Sequence, residues 1–379
     1  MLAGQPDRAL RSPALQCTNR IRRSRVRART TSRPGAIVTS IAVSLALATT
    51  TLLPSWPAAT AQTDPSDPVA SDGSRVLEVG QDTGRLTDVR VYSAAMGTTV
   101  PVKVIRAPDI SRPAPVLYLL NGASGGTGGS NWPKQTDIED FFRDKQVNVV
   151  VPMGGEGSYF ADWRVDDPAL GRQRWTTFLT RELPPLIDAT FAGNGANAVA
   201  GISMAATSVF QLSLAAPGLY RALGSYSGCV RTSDPQGQAM VNAVVTRWRG
   251  NTLNMWGPPT DPQWAANDPY LHAEQLRGTA IYVSTGTGMP GPLDTPDGPG
   301  IDGNGEKLIS QLVTGGFLEA VINRCAHDLS KRLGELAIPA TFDFRPFGTH
   351  SWGYWQQDLH NSWPVIAAAL AIEDSPAPG

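Results

Sequence analysis

The sequence predicts an α/β fold, in which helices cover both faces of a mostly parallel central sheet. Short apolar runs such as 116–120 and 147–152 alternate with segments of helix length. Continuous apolar runs are typical of strands that are buried on both faces, as in a parallel sheet. Segment 77–106 alternates polar and apolar residues instead, which predicts an antiparallel hairpin at the N-terminal edge of the sheet.

The remaining elements follow the same alternation. Strands are predicted at 196–202, 222–226, 280–284 and 340–344, and helices at 136–145, 173–190, 204–215, 306–333 and 352–371. Hydrophobic residues make up 41% of the 379 residues and charged residues 17%, which suits a globular core and excludes a disordered chain. No internal repeat or second boundary is visible, so one domain at about 76–375 is expected.

The N-terminal residues 1–61 are predicted to be a signal peptide. They hold nine of the 32 basic residues, followed by the uncharged apolar run 36–53 and by Ala59-Thr60-Ala61, a small-x-small cleavage pattern. The apolar run is rich in Thr and Ser and ends at Pro54, which favours cleavage near Ala61 over a permanent anchor. We therefore expect a secreted or cell-envelope protein without a transmembrane anchor in its mature form. Residues 62–75 are expected to be a flexible leader.

Charge and cysteine usage limit the possible partners. Residues after the signal peptide have a net charge of about −9, which gives no electrostatic footprint for nucleic acid. Cleavage removes Cys17 and leaves Cys229 and Cys325, which favours one disulfide in an exported protein over two buried free thiols. Histidines and cysteines are too few and too scattered for a zinc or haem site, so we expect no metal and no cofactor.

The segment Gly201-Ile202-Ser203-Met204-Ala205 lies between an apolar strand and a predicted helix. This setting is typical of a nucleophile elbow, in which a tight turn raises the serine hydroxyl above an α/β-hydrolase sheet. The alternative is an ordinary serine that caps its helix. We predict that Ser203 is the nucleophile of a serine esterase or acyltransferase.

A serine nucleophile needs a base, which in α/β-hydrolases follows the last strands. His350 lies in a loop just after the strand 340–344, whereas His360 and His327 fall within predicted helices and His272 in a Pro-flanked loop. The sequence pattern alone does not identify the acid that orients His350. The candidates are Glu319, Asp294, Asp297 and Asp302.

The oxyanion hole is expected to use two backbone amides. One is the amide of Met204, directly after the nucleophile, and the other comes from the glycine-rich loop that begins at Asn121. The alternative for this loop is a plain glycine-rich turn. A phosphate-binding loop is not predicted, because no Lys-Ser/Thr pair follows.

Several segments between about Val116 and Trp355 form a further pattern: 118–122 (YLLNG), 150–155, 159–163, 175–184, 201–206 (GISMAA), 255–258, 267–269, 317–319 and 348–355 (GTHSWGYW). In these segments the chain resembles the mycolyltransferases of the mycobacterial antigen 85 group. The resemblance implies an α/β-hydrolase fold and selects Glu319 as the acid, with Ser203 as nucleophile and His350 as base. It places the oxyanion amides on Ala123 and Met204.

The resemblance also implies a reaction and its partners. It implies acyl transfer through an acyl-enzyme, from mycolate glycolipids such as trehalose mycolates to a sugar acceptor. Asn121, Ser124 and Trp352 fall at the family's sugar site, although the family has an aspartate and an arginine where this chain has Asn121 and Ser124. Segment 233–255 is expected to cover the lipid chain, and the protein to act as a monomer.

The two cysteines are not a general family feature. Their bond would join the loop after strand 222–226 to the helix that carries Glu319, and would brace the acid.

Two alternatives remain beside mycolyl transfer. Asn121 and Ser124 motivate a secreted carboxylesterase of the esterase D type, which uses water as acceptor. A wall- or matrix-binding protein that retains the fold without catalysis is the other alternative.

Overall fold

The computed structural model describes residues 69–81 and 84–372. The predicted signal peptide 1–61 and the first part of the predicted leader lie outside the described residues. Within the described part, nine strands form one sheet. They are β1 (Arg75–Val79), β2 (Leu86–Ser93), β3 (Thr98–Ile105), β4 (Ala114–Leu120), β5 (Asn148–Pro152), β6 (Gly193–Ile202), β7 (Tyr220–Tyr226), β8 (Ala280–Thr285) and β9 (Thr341–Phe344).

The strand order is β1-β2-β3-β5-β4-β6-β7-β8-β9. Strands β1, β2 and β3 pair antiparallel, and β3 pairs antiparallel with β5. All pairs from β5 to β9 are parallel. Every residue of β4 and β5 is buried, as expected for central parallel strands. The predicted fold class, including the antiparallel N-terminal hairpin, is confirmed.

Helices lie on both faces of the sheet. They are α1 (Trp132–Gln135), α2 (Ile138–Phe141), α3 (Trp175–Thr177), α4 (Leu183–Phe191), α5 (Met204–Ala215), α6 (Pro235–Arg247), α7 (Thr252–Met255), α8 (Pro262–Ala266), α9 (Gly305–Ser310), α10 (Gly316–Glu335) and α11 (Trp352–Ala369). The π-helical turns Phe178–Glu182 and Gln311–Gly315 join α3 to α4 and α9 to α10. One core packs α4, α5 and α10 against the sheet, and the other packs α11 against the opposite face.

Two local predictions differ from the structure. The predicted helix 136–145 is only the single turn α2. After Phe141 the backbone forms tight turns, and the ammonium of Lys145 donates to the Phe141 carbonyl at 2.7 Å, so the chain turns toward β5. Residues 70–74 of the predicted flexible leader form a turn, which the Ala70 amide closes by donating to the Ser74 carbonyl at 2.7 Å; Ser74 is fully buried, and its hydroxyl accepts from the amide of Ala94.

Candidate active site

Ser203 lies at the end of β6, on the turn into α5. Its φ is 56° and its ψ is −121°, a conformation that costs a non-glycine residue about 1–3 kcal/mol. The Ser203 amide donates to the Tyr226 carbonyl at 2.9 Å, which ties the turn to β7. The strain and its anchoring are features of a nucleophile elbow.

Gly201 lets β6 and α5 approach each other at this turn. A Cβ at position 201 would lie 2.8 Å from the Cβ of Ala205, closer than real side chains come. The small residues of the elbow therefore allow the strand and the helix to pack at the distance that the turn requires.

His350 meets Ser203 from the loop after β9. Its Nε2 lies 2.8 Å from the Ser203 Oγ, and its Nδ1 lies 2.8 Å from the Glu319 Oε2. The preceding Gly348 has a φ of 107°, a conformation that favours glycine, and a Cβ there would press on the ring of Tyr354 at 3.2 Å. The structure thus brings together three residues that were predicted from three separate parts of the sequence.

Glu319 is held as an acceptor in the first turn of α10. Its side chain is fully buried. Its Oε1 accepts from the Ser227 hydroxyl at 2.7 Å, the Thr285 hydroxyl at 2.9 Å and the Gly286 amide at 2.8 Å. Three donors on one oxygen fix the orientation of the carboxyl group. The other oxygen is left to face His350.

The other candidate acids do not contact His350. Asp294 accepts instead from the hydroxyls of Thr349 and Tyr354 and from the side-chain amide of Gln311. Asp302 pairs with Lys307 at 3.1 Å, and Asp297 is exposed. Asp294 therefore supports the loop that carries His350, through its neighbour Thr349.

The glycine-rich loop crosses above the nucleophile. A Cβ at Gly122 would lie 3.4 Å from the Ser203 Cβ. The Ala123 carbonyl accepts from the Gly157 amide at 3.0 Å, and the Gly125 carbonyl accepts from the Gly154 amide at 2.7 Å. Within residues 69–81 and 84–372, the amides of Ala123 and Met204 donate to no acceptor. Both amides are thus available to a ligand.

The three predicted sugar contacts occupy different environments. Asn121 is fully buried, and its amide group donates to the Pro152 carbonyl while its oxygen accepts from the Trp132 amide, both at 3.2 Å. It braces the loop and offers no exposed atom to a sugar. Ser124 is half-buried, and its hydroxyl donates to the Ser130 carbonyl at 3.2 Å. Trp352 is half-buried and packs edge-on against Trp355, whose ring contacts His350.

A narrow cavity of about 40 Å³ opens beside Ser203. Its lining is mainly apolar and includes Tyr159, Met204, Met240, Val241, Val244, Leu318 and Ile322. Three of these residues belong to α6, within the segment 233–255 that was expected to cover a lipid chain. The wall combines branched side chains with flexible methionines, which adapt to alkyl ligands.

The disulfide prediction is confirmed. Cys229 and Cys325 are bonded, with their Cα atoms 5.1 Å apart. The bond joins the loop after β7 to α10, the helix that carries Glu319, and Cys229 lines the cavity beside Ser203.

Sequence patterns missed the residues that hold Glu319. Ser227 and Thr285 lie at the carboxyl ends of the neighbouring strands β7 and β8, and the indole of Trp355 donates to the Ser227 hydroxyl at 3.0 Å. Hydroxyl residues that end adjacent parallel strands could have indicated this cluster. In the described part of the chain, no group of three or more His, Cys, Asp or Glu side chains is arranged to hold a metal.

The strand order, the helices on both faces of the sheet and the turn at Ser203 are those of the α/β-hydrolase fold. A family model described as "Putative esterase" matches residues 93–365. The diacylglycerol acyltransferase/mycolyltransferase Ag85A of Mycobacterium tuberculosis is 30% identical over 299 residues, which cover 76% of this chain and 83% of the relative. Ag85B of Mycobacterium leprae is 31% identical over 298 residues, which cover 74% and 83%.

Solved structures support the same fold. Mycobacterium tuberculosis MPT51 (FbpC1) has a TM-score of 0.61 at 24% identity, over 73% of this chain and 96% of that one. The Staphylococcus aureus fluorophosphonate-binding serine hydrolase FphF has a TM-score of 0.54 at 16% identity, over 75% and 98%. The chain belongs to this esterase family and, within it, to the antigen 85 mycolyltransferase group.

Proposed function

We propose that the protein is a serine acyltransferase that moves mycolyl groups between trehalose mycolates and carbohydrate acceptors of the cell envelope. The observation that carries the proposal is the continuous hydrogen-bonded line from Ser203 through His350 to Glu319. The named mycolyltransferases, about 30% identical over three quarters of the chain, supply the substrate class.

The first half-reaction forms an acyl-enzyme. The Nε2 of His350 takes the Ser203 proton while Oγ attacks the ester carbonyl carbon of the donor. The amides of Ala123 and Met204 hold the developing oxyanion. The intermediate then collapses, the bond to the sugar oxygen breaks, and His350 gives its proton to that oxygen. Glu319 stabilises the imidazolium throughout.

The second half-reaction reverses these roles. An acceptor hydroxyl loses its proton to His350 and attacks the acyl carbon, the bond to Ser203 breaks, and Oγ recovers the proton. The apolar cavity beside Ser203 would receive the start of the acyl chain. Trp352 at its half-buried position would stack beside the sugar. Because the side chain of Asn121 is turned inward, the sugar pocket of this chain would rely on other groups.

A transfer assay tests the proposal. Purified protein incubated with trehalose monomycolate is expected to yield trehalose dimycolate and free trehalose, measured by mass spectrometry of the lipids. Ser203→Ala should abolish the product, whereas Ser310→Ala, which alters an exposed serine, should not. An intact wild-type protein that forms no transfer product with any sugar acceptor would overturn the proposal.

The second candidate is a carboxylesterase that uses water as acceptor. The full burial of Asn121, which leaves none of its polar atoms for a sugar, favours the carboxylesterase. The ratio of free mycolic acid to transfer product distinguishes the two candidates. A ratio that stays high as the sugar concentration rises would select the esterase.

We further propose export, with cleavage near Ala61, and one catalytic domain over 76–375 that acts as a monomer. The composition of residues 1–61 supports export. Among the helices of residues 69–81 and 84–372, none has the length and apolar character needed to cross a bilayer. Sequencing the N-terminus of protein recovered from the culture medium and cell envelope tests the cleavage position.

A further inference from the structure

Arg345 lies between two buried carboxylates behind the Ser203–His350–Glu319 line. Its Nη1 donates to the Oδ1 of Asp358, and its Nη2 lies 3.9 Å from the Oε1 of Glu319. The Arg345 side chain is only 9% exposed, and both carboxylates are fully buried. A buried guanidinium thus faces the same Glu319 oxygen that receives three hydrogen bonds.

The fold fixes the position of Arg345 from several sides. It follows β9 directly, and its amide donates to the Thr285 carbonyl at 3.0 Å. Its guanidinium lies 5.3 Å from the centre of the Tyr354 ring. Its Nε and Nη2 have no hydrogen-bond partner in the described residues. The contact with Glu319 is therefore electrostatic.

Several charged or titratable groups surround this pair. They are Glu319 on α10, His350 in the loop after β9, Asp358 and Tyr354 on α11, Asp343 on β9, Tyr282 on β8 and Tyr226 on β7. Burial raises the pKa of Asp358 to about 7, against the opposing effect of Arg345 and with a further rise from Glu319. Buried carboxylates that share a site raise each other's pKa unless a cation compensates them.

We propose that Arg345 is a positioning residue of the triad: held by Asp358 and Tyr354, its guanidinium faces the Oε1 of Glu319, leaves Oε2 directed at His350, and places a positive charge beside the triad. The inference rests on the proposed function, because it gives Arg345 a role in the same reaction. Arg345 is buried and does not line the cavity beside Ser203. It acts from behind Glu319, where its positive charge opposes protonation of His350.

The pH dependence of kcat/KM tests the role. Its acid limb reports the protonation of His350 in the free enzyme. Removing the guanidinium removes a positive charge from the triad, so Arg345→Gln should move this limb to higher pH by about 1 unit. At one unit below the wild-type midpoint, the activity of the variant as a fraction of its own plateau should be about tenfold lower than that of the wild type. Arg277→Gln, which removes an exposed arginine paired with Glu274, should leave the limb in place.

A double variant separates positioning from packing. Arg345→Gln alone leaves Asp358 buried without its cation and could fail to fold. The variant R345Q/D358N removes both members of the pair and should fold. Its acid limb should still lie above that of the wild type, because the positive charge beside His350 is gone and Asp358, with a pKa of about 7, carries little charge below that pH. A double variant with the wild-type pH profile, or one that does not fold, would assign Arg345 to core stability and overturn the proposal.

A direct titration keeps this inference separate from the proposed function. The imidazole resonances of His350, assigned by comparison with His350→Asn, are followed by NMR against pH in the wild type and in R345Q/D358N. The titration midpoint should rise in the double variant, and an unchanged midpoint contradicts the proposal. This measurement needs no turnover, so an enzyme that proves inactive on esters would refute the proposed function alone.

Discussion

Replacement of Glu319 by Gln is the substitution whose consequence the structure defines most fully. The Oε1 of Glu319 accepts from the Ser227 hydroxyl, the Thr285 hydroxyl and the Gly286 amide. A glutamine must keep its carbonyl oxygen toward these three donors. Its NH₂ group then faces the Nδ1 of His350, 2.8 Å away.

The wrong tautomer of His350 follows from this geometry. With a donor opposite, Nδ1 must accept, so the ring proton moves to Nε2, which can then no longer take the proton of Ser203. The equivalent change in serine proteases lowers kcat about 10⁴-fold, which corresponds to about 5.4 kcal/mol at 1.36 kcal/mol per tenfold. We expect a loss of this size in Glu319→Gln with little change in KM.

Hydrolysis of a short p-nitrophenyl ester measures the effect without a lipid substrate. Glu335→Gln on the same helix is the matched control, because its carboxylate is half-exposed and lies 3.9 Å from Lys331. This control should keep wild-type kcat. A Glu319→Gln enzyme that is correctly folded and retains kcat within tenfold of the wild type would refute the assignment of Glu319 as the triad acid.

Three further variants test other features of the protein. Replacing both Cys229 and Cys325 by Ser removes a disulfide that spans 96 residues, and should lower the free energy of unfolding by about 4 kcal/mol and Tm by roughly 10 °C. A reductant should lower the Tm of the wild type by the same amount and leave that of the variant unchanged. Gly201→Ala should lower the free energy of unfolding by about 1–3 kcal/mol in denaturant titrations, because the new methyl group would lie 2.8 Å from the methyl group of Ala205. Gly334→Ala is the control, because its methyl group would meet nothing within 4 Å and should not destabilise the protein. The pKa of Asp358 is raised to about 7 in the folded protein, so the stability that it contributes is present at acid pH and is lost as the pH rises toward about 7. In Asp358→Asn, the free energy of unfolding should therefore decline less between about pH 4 and pH 7 than in the wild type.

The sheet was predictable because its strands carry a local signal. Continuous apolar runs located β4, β5 and the later parallel strands, and alternation located the β2–β3 hairpin. The prediction of a helix at 136–145 was wrong for a physical reason. The buried side chains of this segment, Ile138 and Phe142, are four residues apart, a spacing that fits a single turn as well as a long helix. After that turn, the ammonium of Lys145 donates to the Phe141 carbonyl.

The candidate site was predictable only in part. The elbow pattern indicated Ser203, and the position after the last strand indicated His350. The sequence pattern alone did not distinguish Glu319 from the aspartates of the 294–302 loop as the acid. The family resemblance selected Glu319, and the structure brings its carboxylate to His350. The inward turn of Asn121 and the pairing of Arg345 with Asp358 carry no local signal, because both depend on contacts between separate elements.

Covalent capture of the acyl group tests the central claim most directly. Intact-protein mass spectrometry after brief exposure to trehalose monomycolate should show the wild type heavier by one mycolyl group, located on the peptide that contains Ser203. Ser310→Ala should form the same adduct, and Ser203→Ala should form none. An adduct that persists in Ser203→Ala, or that maps to a peptide away from residue 203, would contradict the assignment of Ser203 as the nucleophile.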